Sequence, residues 1–79
     1  MIDVRIRRPA LGEDFRPFTT MRWPSRELCL NDLRMHSTFA MAFAVSAIRE
    51  PIEYPEFTTI GIDWTKDGEP ESVTLLVPK

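Results

Sequence analysis

Cys29, Asp32 and His36 bring a thiol, a carboxylate and an imidazole within eight residues of one another, and they are the side chains here whose types most readily suggest catalysis. Their spacing argues against it. On a helix, Cys29 and His36 share a side but stand seven residues apart, about 10.5 Å of rise, whereas a working nucleophile–base pair needs a contact of about 3 Å. Asp32 and His36, four apart, suit a local helical ion pair, and Cys29 suits a small core position. One histidine and one cysteine do not complete a structural zinc site. Glu50, Glu53, Glu56, Asp63, Glu69 and Glu71 offer carboxylates to a hard cation, but their spacing matches no calcium loop. Gly12, Gly61 and Gly68 form no phosphate-binding loop. The residues therefore assign no catalytic group, no metal and no cofactor, and the chain reads as non-enzymatic.

Charge is the next source of chemistry, and it is segregated along the sequence. Residues 1–26 carry six arginines against three acids, while residues 50–71 carry seven acids against one lysine, so a net charge of −2 conceals a basic start and an acidic end. A field of this kind steers and orients a charged partner more than it sets affinity. The acidic candidates for partner binding are Glu50, Glu53, Glu56, Asp67, Glu69 and Glu71. The basic candidates are Arg5, Arg7, Arg16 and Arg22, expected to share the outer face of an N-terminal strand pair with Phe18. Arginine beside an exposed aromatic on a sheet is a way to hold single-stranded nucleic acid. One aromatic, Asp3 in the same patch and a pI of about 5.3 weigh against that use.

The elements that position these groups follow from periodicity. Ile2, Val4 and Ile6 alternate with charged residues as in a half-buried strand, and Arg16 to Trp23 alternates as a second, placing Met21 and Trp23 inward. Matching the two apolar faces sets Val4 opposite Met21, Asp3 opposite Arg22 and Arg7 opposite Phe18. Ser25 then caps a helix predicted over 25–49, with Glu27 in its first turn and Pro51 beyond its end. The run from Phe39 to Ile48 is apolar on nearly all sides, more than one sheet can cover. Phe39, Met41, Phe43 and Val45 also alternate with smaller residues as a strand would. Four alanines and continuity with the amphipathic first turns favour the helix.

Residues 50–57 read as a connection, because Pro51 and Pro55 interrupt regular structure. The last stretch, 58–78, is a hairpin: Thr58, Ile60, Ile62 and Trp64 alternate, Asp67-Gly68 turns the chain, and Val73, Leu75 and Val77 alternate again. A two-residue loop pairs Ile62 with Val73, Ile60 with Leu75 and Thr58 with Val77. Pro70 and Pro78 point to a final strand that lies at an edge or is trimmed near its ends. The expectation is one α+β domain over 1–79: a four-stranded antiparallel sheet in the order β-β-α-β-β, with one long helix packed on one face.

In function, these residues point to a small protein–protein interaction module that occludes a surface on a larger host protein or complex. Phage and mobile-element inhibitors of host machinery, anti-CRISPR proteins among them, are commonly small and motif-poor in this way. The excess apolar surface of the helix implies a homodimer with Met41, Val45 and Ile48 in the seam. A small RNA- or single-stranded-DNA-binding protein using the arginine face is the alternative. A single cysteine and a charged first segment without an apolar signal core suggest the cytoplasm, and no apolar run reaches the roughly 20 residues of a membrane span.

Overall fold

The fold is built on one long hairpin. In the computed structural model, which describes residues 1–35 and 42–79, β5 (Phe57–Lys66) and β6 (Glu69–Pro78) pair along their whole length, from Phe57 with Pro78 to Lys66 with Glu69. Asp67 and Gly68 turn the chain with φ of 53° and 80°, the positive values a type I′ turn requires. The predicted pairs Ile62–Val73, Ile60–Leu75 and Thr58–Val77 are all present.

Around the hairpin lie four short strands: β1 (Arg5–Arg7), β2 (Arg16–Pro17), β3 (Val45–Ile48) and β4 (Ile52–Glu53). The antiparallel sheet runs β2-β1-β6-β5-β3, with β4 also on β5. It has six strands among the described residues, not the four expected, and this corrects the predicted architecture. β6 is interior, flanked by β1 and β5, so of the two positions its prolines allow, an edge or a strand trimmed near its ends, it does not take the edge. Its prolines are tolerated because β1 pairs only with Thr74–Leu76, leaving Pro70 and Pro78 beyond that ladder. β4 is a second departure: Pro51 and Pro55 bracket it rather than prevent it. Ile52 and Glu53 pair with Thr59 and Thr58, and the Tyr54 N–H donates to the Phe57 carbonyl at 2.9 Å to close the turn.

The long helix is also corrected. Helix α1 spans Arg26–Arg34, nine residues, with Ser25 as N-cap accepting from the Leu28 N–H at 3.2 Å and Glu27 in the first turn. The start of the element is as predicted. Its end is not, because Ala44 takes a left-handed φ of 51° and the chain enters β3 as an edge strand on β5. The alternating pattern at the end of the apolar run therefore becomes strand for Val45–Ile48. His36, Phe39 and Met41 lie outside the described residues.

One face of the sheet forms the core. Val4, Ile6, Ile60, Ile62, Trp64, Val73, Leu75 and Val77 point to it, and α1 covers part of it with Cys29 and Leu33. Ile62, Leu75 and Val77 are fully buried, each contributing about 1.5–3 kcal/mol through apolar burial. A line of rings covers the rest. Trp23 stacks on Phe18 (6.1 Å between centroids), Phe18 meets Phe43 (5.7 Å), and Phe43 stacks on Trp64 (5.4 Å). Phe18 is thus a core residue and not a surface aromatic. The predicted N-terminal register fails with it: Arg5 pairs with Pro17 and Ile6 with Arg16. Phe18 hydrogen-bonds Val4 at 2.9 Å, and Ile2 bonds Trp23 at 3.1 Å across an irregular segment. Pro17 limits β2 to two residues, and Met21 is left at the rim.

Candidate interaction surface

The residues with catalytic types do not assemble. Cys29 is fully buried, and burial, reinforced by the nearby Asp32 carboxylate, pushes its thiol up to about 12. At neutral pH it is protonated and inert. Asp32 accepts from the Trp23 indole N–H at 2.9 Å, which ties α1 to the segment before it. His36 lies outside the described residues. No group of three or more metal-ligating side chains occurs among the described residues.

The acidic candidates split between the two ends of the hairpin. Asp67, Glu69 and Glu71 are at or near its turn. Glu71 receives the Trp64 indole N–H at 2.6 Å and the Arg8 guanidinium at 2.9 Å. Glu53 and Glu56 are at the far end, about 20 Å away along β5. Glu53 takes the Lys79 ammonium at 2.9 Å and the Thr58 hydroxyl at 2.8 Å. Those two hydrogen bonds, the lysine's first, hold its carboxyl below the usual range. Arg26 at the start of α1 donates to Thr58 at 2.8 Å and to the carbonyls of Val77 and Pro78. Glu50 follows β3 and is exposed. Charges segregated in sequence are thus partly paired in space, because β1 lies beside β6 and α1 begins over its end.

The basic candidates divide as well. Arg5 and Arg7 project from the outer face of β1, opposite its inward Ile6, while Arg16 pairs with Ile6 on the other side of the sheet. Arg22 is exposed beside the buried Trp23. Val45 and Ile48 belong to β3 and pack partly against the core, so they stand on a strand and not on the helix face expected to hold the dimer seam; Met41 lies outside the described residues.

What the structure does assemble is the outer face of the sheet, opposite α1. Antiparallel partners share a face, so the pairings Arg7–Thr74 and Thr74–Gly61, followed by the hydrogen bond from the Arg49 N–H to the Gly61 carbonyl at 2.9 Å, trace one row across the sheet. The next row is Pro17, Arg5, Leu76, Thr59 and Ile52. Residues of both rows line an open groove of about 650 Å³, with Thr74 and Gly61 of the first row and Thr59 of the second on its floor. One wall is Arg7 and Phe15, with the guanidinium carbon 4.9 Å from the ring centroid. The other is Arg49, Glu50 and Ile52, continued by Tyr54 and Phe57, whose rings are 5.0 Å apart.

The second wall depends on two local features. Arg49 lies across β5 because residue 61 is glycine: a Cβ there would stand 3.2 Å from the arginine Cδ. Its guanidinium is held by Asp63 at 2.7 Å and Ser72 at 3.5 Å. The tight turn of β4 into β5 brings Tyr54 onto Phe57. Of the sequence candidates, only Arg7 and Glu50 enter the groove. Phe15, Arg49, Ile52, Tyr54 and Phe57 were not candidates. The polar alternates Thr59, Gly61 and Thr74 in the hairpin mark a second, uncovered face, and that alternation is the signal that points to it.

Comparison with protein-family models, curated proteins and solved structures returns no match. No helix among the described residues is long and apolar enough to cross a membrane.

Proposed function

We propose that this protein is a non-enzymatic protein–protein interaction module and that the groove on its outer sheet face is the surface it presents. The observation that supports this reading is the groove itself: an open concavity walled by Phe15, Tyr54, Phe57 and Ile52 on a face that no element among the described residues covers. Aromatic walls with a small polar floor are common at recognition sites. Occlusion of a larger partner, the mode of a phage-type inhibitor of host machinery, requires no more than such a face on a stable scaffold.

The test is affinity capture from lysate of the source cell with the wild-type chain and Thr59→Trp, which fills the groove floor. A partner recovered by the wild type and lost with Thr59→Trp, the thermal melt being unchanged, supports the reading. A partner retained by both places the interface elsewhere.

A second reading, single-stranded nucleic acid, draws support from the same rings beside arginines on an open sheet. Its charge balance is poor. Arg49 is neutralised by Asp63, Glu50 stands on the same wall, and the chain is net acidic. Binding of a twelve-nucleotide oligo(dT), weakened by added salt, would favour it over the first.

A further inference from the structure

We infer that Arg7, laid on the Phe15 ring beside Thr74, is a carboxylate-binding subsite, and that the occupant of the groove is an extended peptide segment of a partner carrying an aspartate or glutamate there. This rests on the reading of the groove as a protein-binding surface and names the chemistry that the surface selects.

Among the described residues Arg7, Arg16, Arg22, Arg34 and Lys66 form no ion pair, and of these Arg7 alone lines the groove. Arg8 pairs with Glu71, Arg26 approaches Glu53 at 3.7 Å, Arg5 pairs with Asp3, and Arg49 pairs with Asp63. Arg7 faces an aromatic ring and no carboxylate among the described residues. Residues 36–41 contain neither aspartate nor glutamate, so they bring no internal counter-ion.

With its carbon held 4.9 Å from the Phe15 ring centroid, the guanidinium gains a cation–π contact that consumes none of its N–H donors through an ion pair and leaves them for a bidentate acceptor. The contact also orders the side chain in advance, which lowers the entropy lost on binding. Thr74, the cross-strand partner of Arg7, is half-buried beside it on the groove floor. Its hydroxyl is a second donor on the same row.

The same inventory selects the kind of anion. A polyanion presents a charge at each step along its length, but the opposite wall offers Glu50 and an arginine already neutralised by Asp63. One unpaired cation facing an apolar wall matches a single carboxylate flanked by apolar or aromatic residues. The row from Arg7 to Arg49 crosses three strand spacings, about 14 Å. That width admits one extended chain with side chains reaching both walls.

The test uses the intact chain to select from a phage-displayed library of random twelve-residue peptides, and then measures the fluorescence anisotropy of selected peptides and their acid-to-amide counterparts. Selected sequences carry Asp or Glu near apolar residues, and conversion to Asn or Gln weakens binding about tenfold, equivalent to about 1.4 kcal/mol. Arg7→Gln abolishes that discrimination, and Arg7→Lys fails to restore it because it lacks the planar fork. A circular-dichroism melt of both variants checks that the fold is retained.

Groove-dependent peptides, lost with Thr59→Trp, that bind acid and amide forms equally would overturn the carboxylate subsite and leave the interaction surface standing. Peptides unaffected by Thr59→Trp, or an empty selection, would overturn both. Arg7-dependent binding of oligo(dT) tighter than that of any selected peptide would replace the peptide with a polyanion.

Discussion

The two faces of the β5–β6 hairpin alternate residue by residue yet are built for different ends. Inward, Ile60, Ile62, Trp64, Val73, Leu75 and Val77 are nearly or fully buried beneath α1 and a line of aromatic rings. Outward, Thr59, Gly61, Asp63, Ser72 and Thr74 lie between surface arginines and the rings of Phe15 and Tyr54. One face concentrates the apolar burial that holds the domain together. The other is thereby released from packing constraints and is free to be shaped for contact.

The comparison can be broken from its strong side first. Leu75→Ala removes a fully buried side chain from the strand at the centre of the sheet, and should cost about 2–5 kcal/mol. That is a large part of the stability of a domain this size, on the order of 4–12 kcal/mol at usual per-residue values. Urea unfolding followed by tryptophan fluorescence measures it, and a cost below about 1 kcal/mol would show that the inward face is not the core.

Gly68→Ala comes next, at about 1 kcal/mol or somewhat more, because φ of 80° disfavours a side chain while nothing stands within 4 Å of the added methyl. Its effect should appear in the urea midpoint without a change in slope.

Glu53 provides a pH-dependent test at the far end of the same hairpin. Its carboxyl is depressed in the folded protein, so the unfolded chain takes up its proton first as pH falls. The pair's contribution is present above the ordinary value of 4.5 and is lost as pH drops through the lower folded value. Thermal melts between pH 6 and about 3 should therefore show a shallower loss of stability for Glu53→Gln than for the wild type.

The smallest effect belongs to the outer face. Thr59→Trp should change stability by less than about 0.5 kcal/mol, although it occupies the groove. If it destabilised the chain as much as Leu75→Ala does, the outer face would be structural and the division between the faces would fail.

How much could be read from residues alone follows the same division. Alternation and the Asp67-Gly68 turn set the hairpin register, since all the large apolar residues coincide in only one pairing, and Ser25 announced the start of α1. Where the signal was ambiguous, tertiary context decided. Val45–Ile48 is apolar enough for a buried helix, but β5 has an open edge that a strand can satisfy with backbone hydrogen bonds. Alternation carried through Pro17 places Phe18 outward, but Pro17 allows only two residues of regular pairing, and the irregular segment after it turns Phe18 into the core. The groove was least legible: it draws its walls from five segments, and only Arg7 and Glu50 stood out by charge.

The interior position of β6 also orders the folding of the chain in time. β1 leaves the ribosome well before β6, yet Arg5 pairs with Leu76, so the first strand has no sheet to join until nearly all of these residues have been made. The β5–β6 hairpin, closed by a two-residue turn, can form locally in roughly 1–10 μs. Docking of the N-terminal third onto it must close a loop of almost the whole chain and is the slower step. Substitutions in the Asp67-Gly68 turn should therefore slow refolding, whereas conservative changes in β1, such as Ile6→Val, should chiefly speed unfolding.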